Sequence, residues 1–194
     1  MDKFSYSLGL GIGQNLLSMG AKDLNVDDFA KAITDVLKGN KPEISHAEAK
    51  DIVNQFFAEL QQKANRENIE NGKILLERNK TNPNITTLPS GLQYEVLKHG
   101  NGRKPGKNDT VRCHYVGTFI NGQTFDSSVS RGEPATFGVS QVIPGWTEAL
   151  QLMQEGDKWK LYIPYDLAYG EHGAGDAIPP YCTLIFEVEL LQVI

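Results

Sequence analysis

The sequence predicts an α+β chain in three parts: an all-α dimerisation arm over residues 1–43, a long connecting helix over 44–83, and an antiparallel curved β-sheet packed on one short helix over 84–194. Three observations predict this. Apolar residues recur at helical spacing as far as Leu60. The next stretch, from Gln61 to Asn68, keeps helix-compatible residues but has almost nothing to bury, the pattern of a helix crossing solvent. From Leu92 onward the apolar period drops to two, which is the period of a half-buried strand.

The first helix is expected over Asp2 to Met19, with Phe4, Leu8, Ile12, Leu16 and Met19 on one face. Beside them Ser5, Gly9 and Gly13 form a seam of small residues at spacings of four. Each glycine inside a helix costs about 0.8 to 1 kcal/mol against alanine, so such a helix needs close packing to offset the loss. Gly9 to Gly13 also has the look of a phosphate-cradling loop, but no strand precedes it and the remainder of a nucleotide fingerprint is missing. A second helix is expected after Asn25, a capping residue, with Phe29, Ile33, Val36 and Leu37 on its apolar face and Gly39 at its end. Two helices of this size cannot enclose a core, so a second copy of the chain is the expected partner, meeting Gly9, Gly13, Leu16, Phe29 and Ile33. Ser45 and Glu48 are spaced as a capping box that opens the third helix, which runs on to about Lys80, with Gly72 as its weak point. Asn82-Pro83-Asn84 breaks it.

In the strand region, Leu92, Tyr94 and Val96 alternate with Gln93 and Glu95, and Val111, Cys113 and Tyr115 alternate with Arg112 and His114. Asn121-Gly122 is a two-residue hairpin signal. Trp159, Leu161 and Ile163, then Leu184, Phe186, Val188 and Leu190, continue the alternation. One short helical pattern interrupts it, with Trp146, Ala149, Leu150 and Met153 on one face, opened by Val142-Ile143-Pro144-Gly145-Trp146. A helix lying on the concave face of a twisted sheet leaves an apolar, aromatic-rimmed pocket between them.

Six motifs occur in order: Tyr115-Val116-Gly117, Phe125-Asp126-Ser127-Ser128, Val142 to Trp146, Ala168-Tyr169-Gly170, Ile178-Pro179-Pro180 and Phe186-Glu187-Val188. Over roughly the last 110 residues they resemble the catalytic domain of the FKBP-type peptidyl-prolyl isomerases. The helical arm is similar to that of the dimeric macrophage-infectivity-potentiator-like bacterial members. The resemblance implies a catalytic set of Tyr115, Phe125, Asp126, Trp146, Tyr169 and Phe186. It also implies substrate contacts at Phe137, Val142, Ile143, Ala177 and Ile178. In the family the proline packs on the indole, and the N–H at the position of Ile143 and the hydroxyl at that of Tyr169 bind carbonyl groups. Asp126, held by Tyr115 and Arg131, would act electrostatically. Where the family has larger residues this chain has Ala135 and Ala177, so one pocket wall is expected to be thin.

What the resemblance implies is an isomerase that turns Xaa-Pro bonds in proline-containing peptides and unfolded proteins, needs no cofactor or metal, works as a homodimer and is inhibited by the macrolides tacrolimus and rapamycin. The alternative is a module that binds proline motifs or macrolides, or a chaperone, with incidental turnover. The net charge of −5 and the absence of a Lys/Arg cluster count against nucleic acid and anionic membranes as partners. His46, His99, His114 and His172 lie on separate segments without metal-ligand spacing, and Cys113 and Cys182 are expected as interior free thiols. Lacking a long apolar run or a basic leader, the chain is expected in the cytoplasm, with a periplasmic or surface location as the alternative if a signal peptide has been removed.

Overall fold

The computed structural model describes all 194 residues, Met1–Ile194, and their contacts divide the chain into two units, 1–63 and 64–194. In the first unit, α1 spans Lys3–Ser18, and the Asp2 carboxylate caps it by accepting the Ser5 N–H at 2.8 Å. Helix α2 spans Val26–Lys38, with the Asn25 side chain accepting the N–H groups of Asp27 and Asp28 and Gly39 closing it at φ 68°. The left-handed conformation there suits a residue without Cβ. Helix α3 spans His46–Asn79, and the Ser45 hydroxyl accepts the Glu48 N–H at 3.1 Å, as its spacing from Glu48 predicts. No residue of the first unit is buried within a single chain. Phe4, Leu8, Leu17, Val36, Leu37, Ile52 and Val53 are all more than half exposed, and a hollow of about 530 Å³ is walled by Leu16, Met19, Leu24, Phe29, Ile52, Val53, Phe56 and Phe57.

The second unit is built on a seven-stranded antiparallel sheet: β1 (Ile85–Thr87), β2 (Gln93–Lys98), β3 (Thr110–Phe119), β4 (Thr124–Ser127), β5 (Ala135–Gly138), β6 (Lys158–Ile163) and β7 (Leu184–Val193). Their order is β1-β2-β6-β7-β3-β4, and β5 pairs with the opening residues of β3. Two short helices, α4 (Ser128–Arg131) and α5 (Pro144–Leu150), lie in the connections. The inward residues of β3, β6 and β7 meet Trp146, Ala149 and Leu150 of α5 in one core. Asn121-Gly122 makes the expected turn between β3 and β4, with Gly122 at φ 85°.

The other face of the sheet departs from the simple alternation. Gln93 and Tyr162, which the period-two pattern assigns to solvent, face each other in register and are 1% and 8% exposed. The last four turns of α3 cover this end. Gln93 donates from Nε2 to the Leu76 carbonyl at 2.8 Å, Leu75 and Asn79 are buried, and Asn68 donates to the Pro180 carbonyl at 2.9 Å. Gly72 is therefore a seat and not a weak point: a Cβ there would fall well inside van der Waals contact with the Thr183 hydroxyl. Both cysteines are free. Cys113 is fully buried in β3, and burial pushes its thiol up to about 12. Cys182 is half-buried in the turn before β7 and not in a strand.

Candidate active site

One cavity of about 440 Å³ is walled by Tyr115, Phe125, Asp126, Phe137, Gln141, Val142, Ile143, Trp146, Tyr169 and Phe186. Each side arrives from a different element for a local reason. Pro144 fixes the first turn of α5, and the residue before a proline is confined to extended backbone; Ile143 accordingly sits at φ −58°, ψ 149°. Its N–H is used by none of the turn and loop hydrogen bonds. Gly145 lets α5 approach β6 so closely that a Cβ would strike Ile163. Trp146 is thereby set deep, at 4% exposure, with its ring edge-on to Tyr115, Phe137 and Phe186 at centroid distances of 5.4, 5.5 and 5.4 Å. Such edge-to-face pairs place the positive edge of one ring against the negative face of another. The indole Nε1–H is buried without a hydrogen-bond partner in the chain.

Phe125 owes its position to a bulge. Gly117 pairs with Asp126 and Thr118 with Thr124, so Phe125 is the extra residue between them, and a bulge re-aims the side chain it carries. Its ring crosses above Gly117, where any Cβ would collide with both Phe125 and Phe186. Immediately after, Ser127 caps α4 by accepting the Ser130 N–H at 3.1 Å, and Gly132 ends the helix at φ 79°. This single turn returns Arg131 to Asp126, five residues back. The Asp126 carboxylate accepts from Tyr115 Oη on one oxygen and from Arg131 on the other, and Arg131 Nη2 donates to the Tyr115 hydroxyl at 2.9 Å. Ser128, fully buried, accepts the Tyr115 N–H at 2.7 Å and fixes the backbone behind it.

The electrostatics follow from this triangle. Burial acts to raise the Asp126 carboxyl, but the hydrogen bonds from Tyr115 and Arg131 and the guanidinium charge outweigh it and hold the group below its ordinary value. Burial, then the bond to Asp126, pushes the Tyr115 hydroxyl up. Burial and the nearby Asp126 charge do the same to Tyr169. The carboxylate stays ionised and the phenols stay protonated around neutrality. The lining holds no Ser, Cys, Lys or His.

The structure brings Tyr115, Phe125, Asp126, Trp146, Tyr169, Phe186, Phe137, Val142 and Ile143 to this one cavity. It does not bring Ile178 or Ala177 to it. Ile178 turns into the core at 5% exposure, bridged to Ala174, and Ala177 is exposed on the same loop. Ala135, in β5, is paired with Cys113 of β3 and also lies outside the lining, so the thin wall expected at Ala135 and Ala177 is no part of this cavity. Gln141 also lines it, a residue whose only signal in the sequence is its position directly before Val142-Ile143. Ser128 belongs to the Phe125-Asp126-Ser127-Ser128 motif, but its bond to the Tyr115 N–H joins α4 to β3 and has no signal in the spacing.

Comparison with known proteins accounts for both units. Residues 101–191 match the family model of the FKBP-type peptidyl-prolyl cis-trans isomerase, and residues 1–96 match the domain amino terminal to it. The chain is 45% identical to the outer membrane protein MIP of Legionella longbeachae, over 99% of this chain and 85% of that protein. It is 44% identical to the FKBP-type 22 kDa peptidyl-prolyl cis-trans isomerase of Escherichia coli strain K12, over 98% of this chain and 94% of that one. The crystal structure of FkpA from Escherichia coli superposes with a TM-score of 0.81 at 35% identity, covering 98% and 95% of the two chains. The chain belongs to the FKBP-type peptidyl-prolyl cis-trans isomerases, in the subgroup of the Mip and FkpA proteins, and its activity is the rotation of Xaa-Pro bonds.

Proposed function

We propose that the cavity floored by Trp146 performs this rotation without covalent chemistry, by holding the twisted amide better than the planar one. The single observation that carries the reading is a lining with no nucleophile and one carboxylate already engaged by Tyr115 and Arg131. The barrier to rotation, about 18 to 20 kcal/mol, comes from amide resonance. In the twisted state the nitrogen loses conjugation and the carbonyl loses dipole, so an apolar site penalises the planar, water-solvated state more. Differential binding then accelerates the reaction, and a gain of about 10⁶ requires about 8 kcal/mol. In this reading the prolyl ring packs on the Trp146 indole beside Phe125 and Phe186. The Ile143 N–H and the Tyr169 hydroxyl bind flanking carbonyls, and ionised Asp126 faces the turning amide. Phe137 and Val142 complete the wall. A protease-coupled assay of the full chain on a short Xaa-Pro peptide should show turnover inhibited by tacrolimus and rapamycin. Absence of turnover overturns the reading.

The substrates in this account are proline-containing segments of unfolded proteins, and the working unit is a homodimer joined through residues 1–43. The dimer is supported by an arm that buries none of its residues alone and by Gly9 and Gly13, which have open space where a Cβ would stand. Leu16, Phe29 and Ile33 supply apolar contact beside that seam. Gly13→Leu should give a monomer with undiminished activity on short peptides, because a clash repeated by two-fold symmetry is felt twice. An unchanged dimer mass in sedimentation equilibrium would assign the contact to another surface. The cytoplasmic expectation finds no support. We take the alternative, a periplasmic or surface location, because a relative 45% identical over 99% of the chain is named an outer membrane protein. No helix is long and apolar enough to cross a membrane. Fractionation of the native host tests this, and recovery with cytoplasmic markers contradicts it.

A further inference from the structure

A second cavity of about 470 Å³ lies in the same unit, where β3 runs out into the Asn121-Gly122 turn. It is as large as the first and falls within the range of ligand sites. Phe119, Ile120 and Pro179 give it an apolar surface, and Asn68 and Asn71 of α3, with Asn121 and Gln123 of the hairpin, ring it with carboxamides. Its lining has no Lys, Arg, His, Asp or Glu, and the only thiol is Cys182, whose proton burial holds more tightly. Such a surface has nothing to neutralise a phosphate or bind a metal ion. Asn68 already donates to the Pro180 carbonyl and the Asn121 side-chain oxygen accepts the Gln123 N–H; the Asn71 and Gln123 carboxamides add both donors and acceptors, the complement of a peptide backbone.

Its place fixes the occupant. Phe119 packs against Phe125 at 5.0 Å, and Phe125 is edge-on to Phe186 at 5.5 Å, so the two cavities share one aromatic wall. Phe119 is opposite Leu184 and Tyr115 opposite Val188, and all four point to the inner face of the sheet. Four residues of strand separate Tyr115 in the first cavity from Phe119 in the second, about 13 Å at 3.3 Å per residue. An extended peptide covers that distance in four residues.

We propose that this amide-ringed cavity is a second subsite for the polypeptide being isomerised, taking an apolar or aromatic side chain about four residues from the proline while the carboxamides bind the intervening backbone. The proposal rests on the assignment of the prolyl pocket above. It gives α3 a part in choosing substrates, since Asn68 and Asn71 stand on that helix outside residues 101–191, the match to the isomerase model.

The test uses the full chain and three peptides: a Leu-Pro tetrapeptide, and the same peptide extended by four residues ending in phenylalanine either before or after the core. Burying an apolar side chain is worth about tenfold or more in affinity, so one extended peptide should show a KM about tenfold below that of the tetrapeptide. Asn71 and Gln123 are exposed, and Asn71→Trp or Gln123→Trp should each fill the cavity. Both variants should abolish that gain and leave the tetrapeptide constants unchanged. Independently, the extended peptide and not the tetrapeptide should slow alkylation of Cys182 by iodoacetamide, Cys113 being sealed in the core. Equal KM values for all three peptides overturn the proposal, and so does a gain that survives in both Trp variants. Failure of the isomerase reading is distinguished by the tetrapeptide, which would then not be turned over at all.

Discussion

Trp146 permits a separation of folding from catalysis that its burial at first obstructs. At 4% exposure and in contact with three other rings, its replacement by alanine should cost about 3–5 kcal/mol, or a fall of roughly 12–20 °C in Tm at about 4 °C per kcal/mol. Lost activity in that variant would therefore say little about substrate. Trp146→Phe is the informative change. It removes two ring carbons, costing about 1.6 kcal/mol at 0.8 per carbon. It also removes the buried, unpartnered Nε1–H, whose desolvation costs about 1–3 kcal/mol. The two effects oppose each other, and the Tm should stay within about 5 °C of wild type. The prolyl ring, however, loses the same area of indole, about 1.6 kcal/mol, so kcat/KM should fall about tenfold or more. Thermal unfolding and the tetrapeptide assay read the two effects separately. A kcat/KM within twofold of wild type at unchanged Tm would refute the assignment of the indole as the floor for proline.

Because Asp126 is held below its ordinary 3.8 and Tyr115 and Tyr169 above 10.0, kcat/KM should be flat from pH 6 to 9. A depressed carboxylate contributes stability above its unfolded pKa, and that contribution is lost as pH falls through the lower folded value. Activity and the triangle should fail together only below about pH 4, and an inflection between pH 6 and 8 would contradict this. Asp126→Ala should lower turnover with little change in Tm, since both partners of the ion pair remain partly in solvent; a collapse of folding would make the pair structural. Gly72→Ala, favourable to a helix by about 1 kcal/mol, should instead lower Tm, because overpacking against Thr183 costs about 1–3 kcal/mol; a raised Tm would show that the seat can give way. A fragment beginning at Ala64 should melt on the order of 10 °C above one beginning at Asn84, since the shorter one exposes the Leu75 seat and orphans Gln93. Equal midpoints would mean that the end of α3 adds nothing to the isomerase unit.

Elements whose cause lies within a few residues were legible in the sequence. Asn25, Ser45 and Gly39 mark helix ends through bonds made within one turn, and Asn121-Gly122 marks a hairpin by its own backbone preference. The aromatic residues of the pocket were legible because ordered motifs fixed them together. Contacts between distant segments were not. Gly72 looks like a defect along α3 and becomes a seat only when Thr183, 111 residues on, is laid against it. Gln93 carries the pattern of an outward residue until α3 covers it. Ile178 sits beside a proline pair that signals a loop, but whether its side chain enters the pocket or the core depends on the bridge to Ala174. A bulge that leaves Phe125 unpaired is equally silent in the sequence, since it depends on the register of two strands.

The central claim is that rotation is accelerated by differential binding, with no group in the cavity transferring a proton. Magnetisation-exchange NMR on a short Xaa-Pro peptide measures the cis-trans rate directly, without a coupling protease. With catalytic amounts of the full chain, the exchange rate should rise by orders of magnitude and be nearly the same in H₂O and D₂O at equivalent pH. A rate at least twofold slower in D₂O would indicate a proton in flight and contradict the account, as would exchange no faster than for the free peptide.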